Sequence, residues 1–137
     1  MQIAASIVLT FTQVKAVQWN HLTPSMKKKR ESMTVNHGFA ATLTARPGMG
    51  DRLVDVLLTG LDEGSPAASE HCVVYLVSRS ASDPDVVHVI EGWTSEEDHH
   101  RVFAGEAAQA IVARIGGLLA KESEYADHVP VRGKAAF

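Results

Sequence analysis

Two apolar runs, Val73 to Val77 and Val86 to Ile90, stand at the centre of the hydrophobic pattern. Both are rich in β-branched and aromatic residues, and Ser, Asp and Pro separate them, so they read as a β-hairpin. The second run ends at Trp93 and passes straight into Thr94-Ser95-Glu96-Glu97. That order predicts a helix opened by a capping box, with the Thr94 hydroxyl accepting from a first-turn N–H and Glu97 reaching back. A strand that ends in a tryptophan and turns at once into a helix gathers a large ring and several polar groups where sheet meets helix. A pocket is expected there.

The flanking segments complete a recognisable order. Asn36 to Ala45 alternates, with Phe39, Ala41 and Leu43 on one side and Ala40, Thr42 and Thr44 on the other; Arg46-Pro47-Gly48 stops it. Leu53, Val56, Leu57, Gly60 and Leu61 then fall at helical spacing, predicting a helix from about Gly50 to Leu61, and Asp62 to Glu70 reads as a loop. After Trp93 the pattern is helical to about Lys121, with an apolar stripe of Ile111, Ile115, Leu118 and Leu119, a kink at Gly105 and a weak end at Gly116-Gly117. Glu124 to Arg132 makes a last strand, with Pro130 marking an edge or an exit from pairing. Strand, helix, strand, strand, helix, strand is the ferredoxin-like βαββαβ arrangement, an α+β fold with an antiparallel sheet and two helices on one face.

That fold raises a question about the uncovered face. Val87, Val89, Glu91 and Trp93 share one side of their strand, and Val86, His88 and Ile90 the other; Cys72, Val74 and Leu76 likewise oppose Val73, Tyr75 and Val77. Both faces are apolar, whereas a solvated face should carry polar residues. A second copy of the sheet is the expected cover, which predicts a homodimer.

Residues 1–32 stand apart. Ile3 to Trp19 is apolar without a clean period, and Pro24-Ser25 with Lys27-Lys28-Lys29-Arg30 reads as a linker. The segment is expected to be an N-terminal extension or linker before a folded domain spanning 33–137, with an added edge strand at Ile7 to Phe11 as the alternative. No basic residue precedes the apolar part and no small-residue cleavage site follows it, so it does not read as a secretory signal. Thr10, Thr12, Gln13 and Lys15 make it a poor membrane span. The net charge of −3 conceals +4 on residues 1–32 and −7 on the remainder; an acidic body argues against a nucleic-acid-binding domain. Cys72 is the only cysteine. No intrachain disulfide can form, and a cytoplasmic setting is expected. Nothing cationic adjoins Cys72 in sequence, so it reads as a small buried hydrophobe.

Cys72-x-x-Tyr75, Arg79-Ser80, Asp83-Pro84 and Glu91-x-Trp93 before a Ser/Glu-rich helix start, together with the Ala45-Arg46-Pro47-Gly48 turn, form an ordered series. From Asn36 to about Leu119 this series resembles the antibiotic biosynthesis monooxygenase (ABM) family, which includes small quinol and polyketide-quinone monooxygenases. The resemblance implies a dimeric α+β barrel with a pocket in each subunit between sheet and helices. It also implies oxygen insertion into an electron-rich phenolic or quinol ring without metal, flavin or haem. The family's tryptophan corresponds to Trp93. A tyrosine that the polyketide enzymes place six residues later is His99 here, their asparagine four residues before the tryptophan is Val89, and the quinol-type histidine nine residues after it is Val102.

A cofactor-free oxygenase must deprotonate its substrate to an anion able to reduce O₂, which calls for a base, donors to the anion and a dry pocket. His99 is the candidate base or anion donor, because imidazole titrates near neutrality; His100 should point about 100° away from it. Glu91, flanked by apolar residues, must be paired or protonated. Its alternatives are a pocket acid or base and an anchor to Arg101 or Arg114. Trp93 is either core or a wall for a flat ring to stack on. Tyr75 is a satisfied core phenol or a second cavity group, Phe103 joins them as a substrate contact, and His88 faces away. The seven histidines include no HxH, HxxxH or HExxH spacing, and none lies between Arg101 and Lys121 to serve as a haem ligand. The sequence therefore points to a cofactor-independent monooxygenase acting with O₂ on a small aromatic substrate. The alternative is a non-catalytic dimeric α+β barrel that binds a hydrophobic small molecule.

Overall fold

A computed structural model describes residues 23–25 and 34–137. The chain divides into two units between Ser32 and Met33. The sheet, its helices and the cavity all belong to the second unit. The expectations for Ile3 to Trp19, the basic run and the edge strand at Ile7 to Phe11 fall outside the described residues. Four strands, β1 (His37–Thr44), β2 (Cys72–Arg79), β3 (Val86–Trp93) and β4 (Glu124–His128), form one antiparallel sheet in the order β2-β3-β1-β4. Helix α1 (Gly50–Leu58) links β1 to β2, while α2 (Glu96–Phe103) and α3 (Glu106–Gly116) link β3 to β4. This is the ferredoxin-like α+β fold. No helix of the described residues is long and apolar enough to cross a membrane.

Alternation decides which side of the sheet becomes core. Phe39, Ala41 and Leu43 on β1 stand opposite Glu91, Val89 and Val87 on β3. Ala41, Leu43, Val87 and Val89 are buried with Leu53 and Leu57 of α1, whose i, i+3, i+4 spacing turns one apolar stripe of that short helix inward. Leu118 and Leu119 close the far end, where Arg46 and Ala120 donate backbone hydrogen bonds to Leu118 and Thr44.

Five local features differ from the sequence pattern. Helix α2 is capped by Ser95, whose Oγ accepts from the Asp98 amide at 3.0 Å, not by Thr94. The Thr94 amide still donates to the His71 carbonyl of the sheet, which delays the helix by one residue, and its hydroxyl bonds the Asp98 carboxylate instead. The long helix expected after Trp93 is two helices, because Gly105 takes an extended conformation (φ −71, ψ 159) and starts α3, while Gln109 Nε2 donates to the freed Phe103 carbonyl at 2.7 Å. Strand β2 carries a bulge: Cys72 pairs with Trp93 but Val74 with Gly92. The extra residue rotates Cys72 to the Tyr75 side, against simple alternation. The last strand stops at His128, before Pro130, and α1 tightens into a 3₁₀ turn over Thr59–Leu61.

The turn between β2 and β3 is tied to the start of α1. No side chain of its own caps this helix; Asp85 supplies both carboxylate oxygens, at 3.1 Å to the Gly48 amide and 3.0 Å to the Gly50 amide. A negative charge there satisfies orphan donors at the positive end of the helix. The approach is so close that a Cβ on Gly50 would stand 2.0 Å from the Pro84 carbonyl oxygen. Gly50→Ala should therefore cost about 2–3 kcal/mol in urea denaturation, as overpacking against backbone does. Gly48→Ala, in open space at φ +81, should cost only about 1 kcal/mol for its left-handed conformation.

Candidate active site

Between the sheet and its helices lies a cavity of about 580 Å³, within the usual range for small-molecule sites. Its lining mixes small residues (Ala41 from the sheet, Gly60 and Ala67 from the loop after α1, Ala108 and Gly116 from α3) with aliphatic ones such as Leu43, Leu57 and Ile115. Trp93, Phe39, Phe103 and Tyr75 supply aromatic wall, and Glu91 and His99 its buried polar groups.

Trp93 and Glu91 come to this cavity together because residues i and i+2 of a strand share a face. The indole N–H of Trp93, itself 1% exposed, donates to Glu91 Oε1 at 2.8 Å. Ser95 then starts α2, and its fourth residue, His99, lies over the indole with ring centroids 5.0 Å apart. Phe39 at 4.9 Å and Phe103 at 5.0 Å enclose the imidazole on further sides. His99 Nε2 is 3.8 Å from Glu91 Oε1 and has no hydrogen-bond partner, although it is buried. Its Nδ1 is 3.2 Å from Nε2 of His37, the first residue of β1 and Trp93's partner across the strands. His37 Nε2 in turn lies 3.4 Å from the exposed Asp127 carboxylate on β4.

This enclosure inverts the ordinary order of acidity. Burial raises Glu91 to about 7, opposed in part by the indole hydrogen bond. Burial, with the nearby His37 and His100, lowers His99 to about 4. At neutral pH the imidazole is uncharged and the carboxyl is poised near half-ionisation. Burial beside Glu91 also pushes the Tyr75 phenol up and the Cys72 thiol up to about 12, which leaves neither as a ready nucleophile. Outside the cavity, hydrogen bonds from Thr94 and Ser95 hold Asp98 down at about 2.

The residues singled out in the sequence divide accordingly. Glu91, Trp93, His99, Phe103 and Tyr75 all line the one cavity. The Tyr75 hydroxyl is engaged, donating to the Leu57 carbonyl at 2.7 Å. Neither arginine anchors Glu91: Arg101 pairs with Asp98 at 2.7 Å, and the carboxyl is held by the indole, because both face the helix layer from one strand. His88 lies on the opposite face, 3.1 Å from Thr42 Oγ1. His37 and Asp127 were missed. His37 is on the Phe39 side of β1, two residues before it, but only the β1–β3 register brings it to His99, 62 residues away. Among the described residues no group of three or more His, Cys, Asp or Glu is arranged to hold a metal ion.

The model of the family described as antibiotic biosynthesis monooxygenase matches residues 38–114, more than half of the chain. The chain belongs to this family. Among solved structures, an ABM-family protein of Chloroflexus aurantiacus, provisionally named a monooxygenase, is 28% identical; the match covers 72% of this chain and 96% of that one at a TM-score of 0.62. A provisionally named ABM of Caulobacter crescentus (20% identity, 77% and 99% covered, TM-score 0.61) and a Nitrosomonas europaea protein of unknown function (18%, 75% and 96%, 0.63) share the fold. Among curated proteins none matches the chain.

For an ABM protein with this site, the raised carboxyl has a measurable consequence. Between pH 4.5 and about 7 the folded Glu91 holds its proton while the unfolded one has lost it, so raising pH through that window lowers stability, and above it the loss is complete. Glu91→Gln keeps an acceptor for Trp93 without the charge. It should be more stable than wild type at pH 8 by about 2–3 kcal/mol, with the advantage shrinking towards pH 4.5, as read from urea midpoints.

Proposed function

We propose that the cavity binds a quinol or polyphenolic ring and that the protein inserts one atom of O₂ into it without a cofactor. The observation that carries this reading is a buried carboxyl of near-neutral acidity, held by Trp93 in an aromatic-lined cavity beside an unpartnered imidazole nitrogen. Glu91 takes the proton when the substrate O–H bond breaks. The matched acidity favours that transfer at neutral pH, and the resulting ring anion is electron-rich enough to reduce O₂. Phe39 and Phe103, both half-buried, offer aromatic surface to the ring, while Trp93 lies fully buried behind Glu91, and His99 Nε2 is 3.8 Å from the same carboxyl oxygen. For a hydroquinone the balance closes as one hydroquinone and one O₂ giving one hydroxyquinone and one water. One oxygen forms the new C–O bond; the other leaves as water after the O–O bond breaks, and Glu91 can return its proton to it.

An oxygen electrode with a panel of hydroquinones and anthrones tests this. Uptake above the blank is expected from the wild type, and Glu91→Gln should lower kcat about 100-fold or more, the usual scale for a lost general base. No uptake by the wild type on any of these substrates, with His99→Ala indistinguishable from it, would remove the enzyme reading for that class.

We also infer that two copies pair through the open face of the sheet. Ile90 is half exposed there beside Val74 and Leu76, and an apolar sheet face gains by being covered. Sedimentation should give twice the chain mass at micromolar concentration; a monomer would refute the pairing.

A further inference from the structure

His37 and Asp127 form a chain of contacts behind His99 that the oxygenation reading does not use. Whether His99 presents a lone pair or an N–H to the cavity depends on its tautomer, and both ends of this chain bear on it. Asp127, when ionised, only accepts, and its Oδ1 lies 3.4 Å from His37 Nε2, so it favours a proton on that nitrogen. The same nitrogen faces His99 Nδ1 at 3.2 Å. With His37 Nε2 as donor, His99 Nδ1 must be the acceptor, and the imidazole proton goes to Nε2. From the other side, the Glu91 carboxyl oxygen 3.8 Å from His99 Nε2 also favours a proton there. The remaining titratable group against this pair is His100, with ring centroids 5.6 Å from His99 and 6.4 Å from His37; its Nε2 lies 3.8 Å from the exposed Glu96, directed to the surface.

We propose that His37, oriented by Asp127, fixes His99 as the Nε2–H tautomer, so that His99 is a hydrogen-bond donor to a substrate oxygen and not a base. His37 is thus a positioning residue, and the roles divide: the Glu91 carboxyl removes the proton, and the imidazole holds the oxygen left behind. Nε2 has no partner within the protein; as a buried N–H without an acceptor it is costly, and an oxygen-bearing ligand would satisfy it. Binding is therefore selective for rings that carry a phenolic, phenolate or carbonyl oxygen over hydrocarbon rings of the same shape. What the donor meets rests on the oxygenation reading; the tautomer itself does not.

The experiment is two-bond ¹H–¹⁵N correlation spectroscopy on histidine-labelled full-length protein at neutral pH, without ligand, with His99 assigned by its absence in His99→Gln. The expected pattern is a protonated, pyrrole-type Nε2 and a bare, pyridine-type Nδ1. Asp127→Asn, at an exposed position that should fold normally, and His37→Phe, which keeps a ring in place, should each move both nitrogens towards the averaged values of an unconstrained imidazole, His37→Phe further. A wild-type His99 protonated at Nδ1 overturns the proposal, and so does a pattern unchanged in both variants. Because no substrate is present, a negative oxygen-uptake result and a negative tautomer result are separable.

Discussion

The site depends on a single hydrogen bond, from the Trp93 indole to Glu91. A carboxyl that is 6% exposed and set among Val89, Phe39 and Tyr75 on its face of the sheet is expensive to ionise, and one donor does not replace the water it has lost. That is why the acidity stays displaced upwards even with the hydrogen bond in place. The bond decides where the carboxyl goes. It fixes Oε1 over the indole edge, beneath the imidazole of α2, instead of leaving the side chain to reach solvent along the sheet. Removing the indole would leave the carboxyl both buried and unheld, the costlier of the two ways to break a polar pair.

Hollowness has an equally local cause. A sheet covered by helices normally closes on a filled core, as it does here around Leu43, Leu53, Leu57 and Val87. Along the cavity, Ala41, Gly60, Ala67, Ala108 and Gly116 are interspersed with aliphatic residues such as Leu43, Leu57 and Ile115, and Phe39, Phe103 and Tyr75 add rings to the lining. Small residues opposite rigid aromatics leave space that repacking cannot fill cheaply, since Trp and Phe have few alternative rotamers in a packed wall.

How much of this was legible varied with the range of the interaction involved. The i, i+2 relation of Glu91 to Trp93 and the place of His99 early in the following helix are local, and the five residues singled out do meet. The cap at Ser95 misled because Thr94 has a competing partner, a sheet carbonyl from His71, that no local pattern reveals. The bulge at Cys72 was likewise invisible, since it is defined only by the strand it pairs with. Helix continuity failed at Gly105, where sequence showed a weak point without showing that the chain turns there. His37 was hidden for the plainest reason: its partners lie on α2 and β4, and only the assembled register brings them together.

The displaced acidities also settle what kind of pair Glu91 and His99 make. In water a carboxylic acid gives its proton to imidazole, and a contact between them is an ion pair. Here the carboxyl lies near 7 and the imidazolium near 4, so the proton's preference is reversed and the contact at pH 5 or 6 is between two neutral groups. An uncharged resting site suits an apolar cavity, which would resist an ion pair it could not hydrate. Near pH 7 part of the carboxyl is ionised, and in that fraction a phenol's proton can pass to it over a short distance within the cavity. The negative charge then shifts between the carboxyl and the ring oxygen without changing in total. The desolvation cost already borne by the ionised carboxylate makes that exchange less uphill than it would be for a solvent-exposed, more acidic carboxylate.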